Sequence, residues 1–73
     1  MLIDRYDKNG KQIGVGDYLL RYDGEIFKVD YDPNNLMIGV KDKDSVYFSM
    51  ADWDKEDWEI KDYYELFPVE EVE

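Results

Sequence analysis

The sequence predicts a small, mainly β domain, and three observations lead to this prediction. Within residues 13–40, apolar side chains alternate with polar ones at a period of two along three consecutive segments. Turn residues separate these segments: Asp23-Gly24 suits a tight hairpin, and the Asp-Pro-Asn-Asn run at residues 32–35 favours a second reversal. Aromatic residues make up 16% of the chain, which supplies enough apolar area for a folded domain. We therefore expect a three-stranded antiparallel meander at the centre of the fold.

The alternation also assigns one set of side chains to a common apolar face in each strand of the meander. The three sets are Tyr18, Leu20 and Tyr22, then Phe27, Val29 and Tyr31, then Leu36, Ile38 and Val40.

The segment before the meander predicts a hairpin and a bend. Residues 2–6 suit an opening strand, and the turn at residues 7–10 has Asn-Gly at its centre. Gly14 and Gly16 then indicate a bend where the chain changes direction before the meander.

The segment after the meander predicts shorter elements. A turn at residues 42–44 precedes a short strand in which Val46, Phe48 and Met50 share a face. Ser49 suits a helix N-cap, so a turn or two of helix is expected over residues 50–56. Trp58 and Ile60 alternate with a glutamate, as in a closing strand. Helical spacing then continues only as far as Pro68, which allows at most one helical turn.

These elements predict a small SH3-like barrel, or a strongly bent antiparallel sheet of about five strands, with one short helix. We expect residues 1–68 to form a single domain and residues 69–73 to be a frayed acidic tail.

A tyrosine followed by an aspartate occurs at residues 6–7, 22–23 and 31–32. Each pair stands where a predicted strand meets a turn. Tyrosine can pack its ring while its hydroxyl stays in water, and aspartate starts turns by accepting a hydrogen bond from the backbone two residues on. We interpret the three pairs as architecture rather than as a binding motif.

The composition argues against several classes of function. The chain has no cysteine, which excludes disulfides and cysteine-based zinc sites and is compatible with a reducing compartment. It also has no histidine to activate Ser45 or Ser49 as a nucleophile, and a domain of this size rarely encloses a substrate cleft. No apolar run approaches the length of a membrane span. We expect a cytoplasmic protein that is not an enzyme and has no cofactor.

Two groups of acids partly match the ligand pattern of a metal site. Asp30, Asp32 and Asn34 match the first three ligand positions of an EF-hand loop, but the glycine and the bidentate glutamate that should follow are replaced by Asn35 and Lys41. The acids at residues 52–57 offer oxygen ligands without a preorganising loop. An ordinary turn and a solvated acidic surface are the better interpretations, so no metal is expected.

The negative charge is concentrated in the last third of the chain. The net charge is −10, of which residues 1–48 carry −2 (nine acids, seven bases) and residues 49–73 carry −8 (ten acids, two bases). Such a surface repels phosphates, so we expect no direct binding to nucleic acid and favour a basic protein partner.

Residues 52–65 interleave acids with aromatic residues. In one interpretation, Trp53, Trp58 and one tyrosine close the core while the acids solvate the outside. In the other, exposed aromatic side chains anchor a partner and carboxylates meet a surface rich in Lys and Arg. The candidate partner-binding residues are Asp52, Trp53, Asp54, Asp57, Glu59, Asp62, Tyr63 and Glu65.

The opening of the chain resembles that of a known family. Residues 7–17 contain the pattern DKNGK-x-I-x-x-GD, which is similar to the opening of YopX-like domains and related small proteins of bacteriophages and mobile elements of Gram-positive bacteria. Residues 58–60 and 64–65 resemble the closing segment of that family, although residues 61–63 read Lys-Asp-Tyr where Gly-Asn-Ile would stand. The resemblance covers about residues 7–67 and implies a β-rich fold, without an activity that could be assigned to particular residues.

Two hypotheses for function follow. The first is a non-enzymatic interaction protein of phage or mobile-element type that binds a host or phage protein through residues 49–73. The second is a nucleic-acid mimic whose carboxylates imitate phosphates and block a DNA- or RNA-binding protein. Mimicry requires rows of acids on one continuous face, whereas a modest acidic cluster beside a neutral sheet favours the first hypothesis.

Overall fold

A computed structural model describes residues 1–68, which form two antiparallel sheets. The smaller sheet pairs β1 (Leu2–Tyr6) with β2 (Gln12–Gly14). The larger sheet consists of β3 (Tyr18–Arg21), β4 (Ile26–Asp32), β5 (Met37–Lys41), β6 (Tyr47–Ser49) and β7 (Trp58–Lys61). Its strand order is β6-β5-β4-β3-β7. A 3₁₀ turn (Lys55–Asp57) precedes β7, and a one-turn helix α1 (Tyr63–Leu66) follows it. The prediction of a mainly β fold with a central meander is confirmed.

The two turns of the meander form where turn residues occur. Gly24 adopts a φ of +89°, which glycine tolerates without strain, and Asp23 Oδ1 accepts a hydrogen bond from the Glu25 N–H. At the second turn, Asp32 Oδ1 accepts a hydrogen bond from the Asn34 N–H at 2.9 Å.

The register of the large sheet determines which side chains face the core. Leu19 lies opposite Phe27 in β4 and opposite Ile60 in β7. Side chains that lie opposite each other across a strand pair share a face, so Leu19 points to the core side with Phe27. Leu19 is fully buried, while Tyr18 and Leu20 lie on the other face.

The structure corrects the predicted apolar faces at four positions. The predicted set of Tyr18 and Leu20 does share a face, but that face is not the core face. Tyr22 lies in the turn after β3, and Leu36 lies before β5 with 74% of its surface exposed. Since β3 reads Tyr-Leu-Leu-Arg, both of its faces are partly apolar, and only pairing with β4 and β7 decides between them.

The core lies between the large sheet and the β1–β2 hairpin. Its buried apolar residues are Ile13, Leu19, Phe27, Val29, Val40 and Met50. Ile3, Ile38, Trp53, Trp58 and Ile60 pack around them. Gly39 is buried in β5, where a Cβ atom would lie 2.8 Å from the backbone oxygen of Phe48. A glycine in this strand therefore allows β5 and β6 to approach each other.

The large sheet is open. β3 and β7, the first and last of its five strands, pair with each other, but β6 and β7 are the two edges and do not pair. A closed barrel is therefore not formed by the residues that the structure describes.

The predicted helix over residues 50–56 is wrong. Ser49 Oγ accepts a hydrogen bond from the Ala51 N–H at 3.0 Å, which makes a tight turn instead of a helix cap. Met50 is buried in the core, and helix appears only as the 3₁₀ turn, which is capped by Asp54. The predicted closing strand and the single helical turn before Pro68 are confirmed as β7 and α1. The predicted frayed tail lies outside the described residues.

Within residues 1–68, no helix is long and apolar enough to cross a membrane.

Candidate interaction surface

Asp7 joins the two sheets and thereby positions β7 and the segment around it. Its side chain is 1% exposed. Oδ1 accepts hydrogen bonds from the N–H groups of Asn9 and Lys11, and Oδ2 accepts one from the N–H of Ile60 in β7. The backbone N–H of Lys8 also donates to the Trp58 carbonyl at 2.9 Å. The turn that opens the DKNGK pattern therefore covers the outer edge of β7.

Trp53 is held against the rim of the core. Its ring stacks on Trp58 with centroids 4.6 Å apart and an angle of 13° between the planes. The Trp53 indole N–H donates to the Tyr6 carbonyl at 2.9 Å. Trp58 in turn packs edge-on against Phe27 at 5.2 Å, and the Arg21 guanidinium lies 4.9 Å from the Phe27 ring centroid.

This arrangement agrees with the interpretation in which both tryptophans help to close the core. The third aromatic residue that packs with the two tryptophans is Phe27, whereas a tyrosine was expected there. Because Trp53 is only half-buried, part of its ring remains available at the surface.

The carboxylates beside this tryptophan pair are not neutralised by the described part of the chain. We call Asp52, Asp54, Glu56 and Asp57 the acidic run. Asp54 Oδ1 accepts a hydrogen bond from the Glu56 N–H at 3.1 Å and so caps the 3₁₀ turn. Within residues 1–68, no member of the acidic run forms an ion pair. Asp57 is half-buried, and the other three side chains are exposed.

Two other predicted carboxylates are neutralised. Glu59 lies 3.4 Å from the Lys8 ammonium and 3.6 Å from that of Lys61, which also lies 3.7 Å from Glu65. Partial burial raises the pKa of Glu59, but the hydrogen bond from Lys8 and the charges of Lys61 and Lys8 outweigh this effect and hold the pKa below its ordinary value. Glu59 and Glu65 are therefore less able to attract a basic partner than the acidic run.

Tyr63 lies on the opposite face of the sheet from Trp53. It contacts Tyr18 edge-on at 5.3 Å and Phe67 at 4.9 Å. Tyr18 belongs to the face away from the core. Asp62 directly precedes α1 and lines one groove together with Tyr18 and Tyr63. The eight predicted residues thus divide into two groups, and only Asp52, Trp53, Asp54 and Asp57 come together beside the tryptophan pair.

Sequence reasoning missed the lysines and tyrosines on this outer face. Lys28 and Lys41 lie opposite each other in β4 and β5, and Tyr18 and Tyr47 flank them in the neighbouring strands. In the sequence, each of these four residues is next to a residue on the core side of the sheet, which places it on the outward face of its strand. Only the register between the strands aligns the four side chains in one row.

The positions that resemble an EF-hand have other contacts. The Asp30 carboxylate lies 3.5 Å from the Lys41 ammonium and accepts a hydrogen bond from the Tyr31 N–H. Asp32 accepts hydrogen bonds from Asn34 and from the Asn35 side chain. Over the described residues, no group of three or more acids, histidines or cysteines is placed to hold a metal ion.

No family model, curated protein or solved structure matches this chain in the comparisons with known proteins.

Proposed function

We propose that this chain is a non-enzymatic, acidic interaction protein of phage or mobile-element type. It binds a basic surface on a host or phage protein through the acidic run beside Trp53. The observation that carries the proposal is the absence, within residues 1–68, of any ion pair to the four carboxylates of the acidic run. A cytoplasmic setting accords with the lack of cysteine in the chain.

The chemistry of this surface suits lysine and arginine side chains. Exposed carboxylates attract cations and steer the approach of a basic partner. A shallow groove of about 350 Å³ runs beside Trp53. Its other lining residues are Asp4, Arg5, Tyr6, Ala51 and Lys55. The apolar stem of an arginine or lysine could pack along the indole while its charged head meets a carboxylate.

Nucleic-acid mimicry, the alternative, has less support. A mimic presents its charges as a continuous row, and in this chain Lys8 and Lys61 pair with Glu59, which lies between the acidic run and Asp62. If mimicry were nevertheless the function, the protein would compete with DNA or RNA for the same site on its partner.

The acidic run can be tested with a charge-matched pair of variants. The triple variant Asp52→Asn, Glu56→Gln, Asp57→Asn removes three charges from the acidic run and keeps Asp54 as the cap. Deleting residues 70–73 removes three glutamates from the end of the chain, so both variants have a net charge of −7. An oligolysine peptide serves as the basic probe, and the fluorescence of the two tryptophans reports binding.

We expect the triple variant to bind the probe more weakly than the deletion variant. Three exposed ion pairs contribute about 0.6 to 3 kcal/mol, so its affinity should fall roughly 3- to 150-fold. Binding to the original chain should also weaken between 0.1 M and 1 M salt, as the screening length shortens from about 10 Å to about 3 Å. Equal losses in the two variants would mean that only net charge matters, which would contradict a local site. A pull-down from host lysate would then identify the natural partner.

We also infer that the large sheet is an open form of an SH3-like barrel. Its last strand, β7, returns to pair with its first strand, β3, and a 3₁₀ turn precedes β7. Phe48 in the edge strand β6 contacts Phe27 at 6.0 Å, which partly covers the open side. The kinship with YopX-like proteins remains a proposal supported by the residues of the opening motif.

A further inference from the structure

The outer face of the large sheet carries one row of tyrosine and lysine residues. Lys41 lies opposite Tyr47 and Lys28, and Tyr18 lies opposite Lys28 and Lys61. We call these five residues the tyrosine-lysine row. It crosses all five strands of the sheet.

Stability alone does not account for this row. Like charges directly opposite each other on antiparallel strands are destabilising, and Lys28 and Lys41 are such a pair. The chain has nineteen acids and only nine basic residues, so an acid at either position would have been more ordinary. Lys41 is 3.5 Å from Asp30, whereas Lys28 forms no ion pair with any residue from 1 to 68.

A groove of about 550 Å³ lies beside the row. This volume is within the range of small-molecule sites, which combine apolar walls with a few polar groups. The apolar and basic lining residues are Tyr18, Ile26, Phe27, Phe67, Lys28, Lys41 and Lys43. Glu25 and Asp42 also line the groove, and Asp42 Oδ1 is occupied by hydrogen bonds from the N–H groups of Asp44 and Val46.

Two of the lysine ammonium groups are held in place by aromatic rings. Lys28 Nζ lies 5.8 Å from the Tyr18 ring centroid, and Lys41 Nζ lies 5.8 Å from that of Tyr47. Tyr18 also contacts Phe67 edge-on at 5.9 Å, which forms an aromatic wall on one side of the groove. The groove therefore presents an aromatic wall and positioned cations to the same volume.

We propose that this groove binds a nucleoside monophosphate. The base packs against Tyr18 and Phe67, and the phosphate meets the ammonium groups of Lys28, Lys41 and Lys43. Bases stack favourably on aromatic side chains, and lysine ammonium groups bind phosphate as point charges. A long polyanion would be repelled by the net charge of −10, whereas a single phosphate in the groove meets three lysines against the two carboxylates of Glu25 and Asp42.

This site is separate from the acidic run, which lies beside the tryptophan pair on the core side of the sheet. The two proposals can therefore succeed or fail independently. The test uses the full chain and three probes, namely adenosine 5′-monophosphate, adenosine and inorganic phosphate, each titrated while backbone amide resonances are followed by NMR.

We expect the monophosphate to shift resonances around Tyr18, Lys28, Lys41 and Lys43, and to bind at least about tenfold more tightly than adenosine or phosphate alone, since it uses both the wall and the cations. The double variant Lys28→Gln, Lys41→Gln should weaken this binding about tenfold. It should keep its fold, because it removes the like-charge pair together with a partly exposed Lys41–Asp30 ion pair that contributes little. The matched control is Lys8→Gln, Lys11→Gln, which changes the net charge equally and should bind as the original chain does.

Three results would overturn the proposal. One is no shift at these residues, and another is equal binding of phosphate and of the monophosphate. The third is a glutamate-rich peptide that shifts the same resonances as strongly as the monophosphate, because the groove would then recognise negative charge without an aromatic ring.

Discussion

At the residue scale, much of the acidic content organises turns. Five aspartates each accept a hydrogen bond from the backbone N–H two residues further on: Asp7, Asp23, Asp32, Asp42 and Asp54. A short carboxylate at the head of a turn can do this without strain in its own backbone. The architectural interpretation of the three Tyr-Asp pairs is confirmed for their aspartates. The negative charge is thus partly a by-product of turn chemistry.

Asp7 should be the most sensitive of these aspartates to substitution. In Asp7→Asn, only the side-chain oxygen can accept hydrogen bonds, because the amide nitrogen is a donor. A buried N–H, such as that of Ile60, is then left without its acceptor. We expect the free energy of unfolding to fall by about 1 to 3 kcal/mol in chemical denaturation. Asp23→Asn is the control, since Asp23 heads a similar turn but is exposed, and it should cost less. Equal effects of the two substitutions would show that burial of Asp7 is unimportant.

The same residue should make stability depend on pH. Burial raises the pKa of Asp7, but hydrogen bonds from the N–H groups of Ile60, Lys11 and Asn9, with the charge of Lys11, hold the pKa below its ordinary value. Its unfolded pKa is about 3.9, so the ionised form contributes stability that is complete above about pH 5. That contribution is lost as the pH falls through the lower pKa of the folded state. The difference in unfolding free energy between the original chain and Asp7→Asn should therefore shrink in acid, and a constant difference would contradict this.

At the scale of the elements, β3 shows how pairing between strands determines which face of a strand is buried. Its sequence places leucine at two adjacent positions, 19 and 20, and both alternations are compatible with a strand. Leu19 faces Phe27 and Ile60 and is fully buried, whereas Leu20 is half-buried beside Ile26 and Glu59.

Substituting these neighbouring leucines tests the register of β3 directly. Leu19→Ala should destabilise the domain by about 2 to 5 kcal/mol, because it removes buried methyl groups and leaves a cavity. Leu20→Ala should cost less, since its site is partly solvated. Thermal or chemical unfolding of both variants gives the comparison, and a larger effect at position 20 would show that the other face of β3 packs on the core.

At the scale of the whole molecule, charge is distributed unevenly between surfaces. The acidic run lies beside the tryptophan pair, while the tyrosine-lysine row lies on the outer face of the same sheet. A chain with a net charge of −10 repels itself in the compact state, and the few ion pairs, such as Lys8 with Glu59, are exposed and weak.

Added salt should therefore stabilise the fold. Raising the ionic strength from 0.01 M to 0.15 M shortens the screening length from about 30 Å to about 8 Å, which reduces the self-repulsion more than it weakens exposed ion pairs. We expect stability to rise by at least about 0.5 kcal/mol, or roughly 2 to 4 °C in Tm. Circular dichroism during thermal unfolding measures this. A lower Tm in salt would show that the ion pairs outweigh the repulsion.

The sequence by itself determined the strands, their turns and the division of charge, because these depend on local chemistry: alternation at a period of two, Asp-Gly and Asp-Pro-Asn-Asn turns, and the count of acids after residue 48. Only the tertiary structure decided which leucine of β3 is buried, that Lys8 and Lys61 pair with Glu59 and Glu65, and that Tyr63 lies away from Trp53. Alternation divides the side chains of a strand into two faces but does not show which face is buried. A count of charges does not show which acids form ion pairs. Both answers come from the register between strands that are distant in sequence, where β7 pairs with β3 across about forty residues.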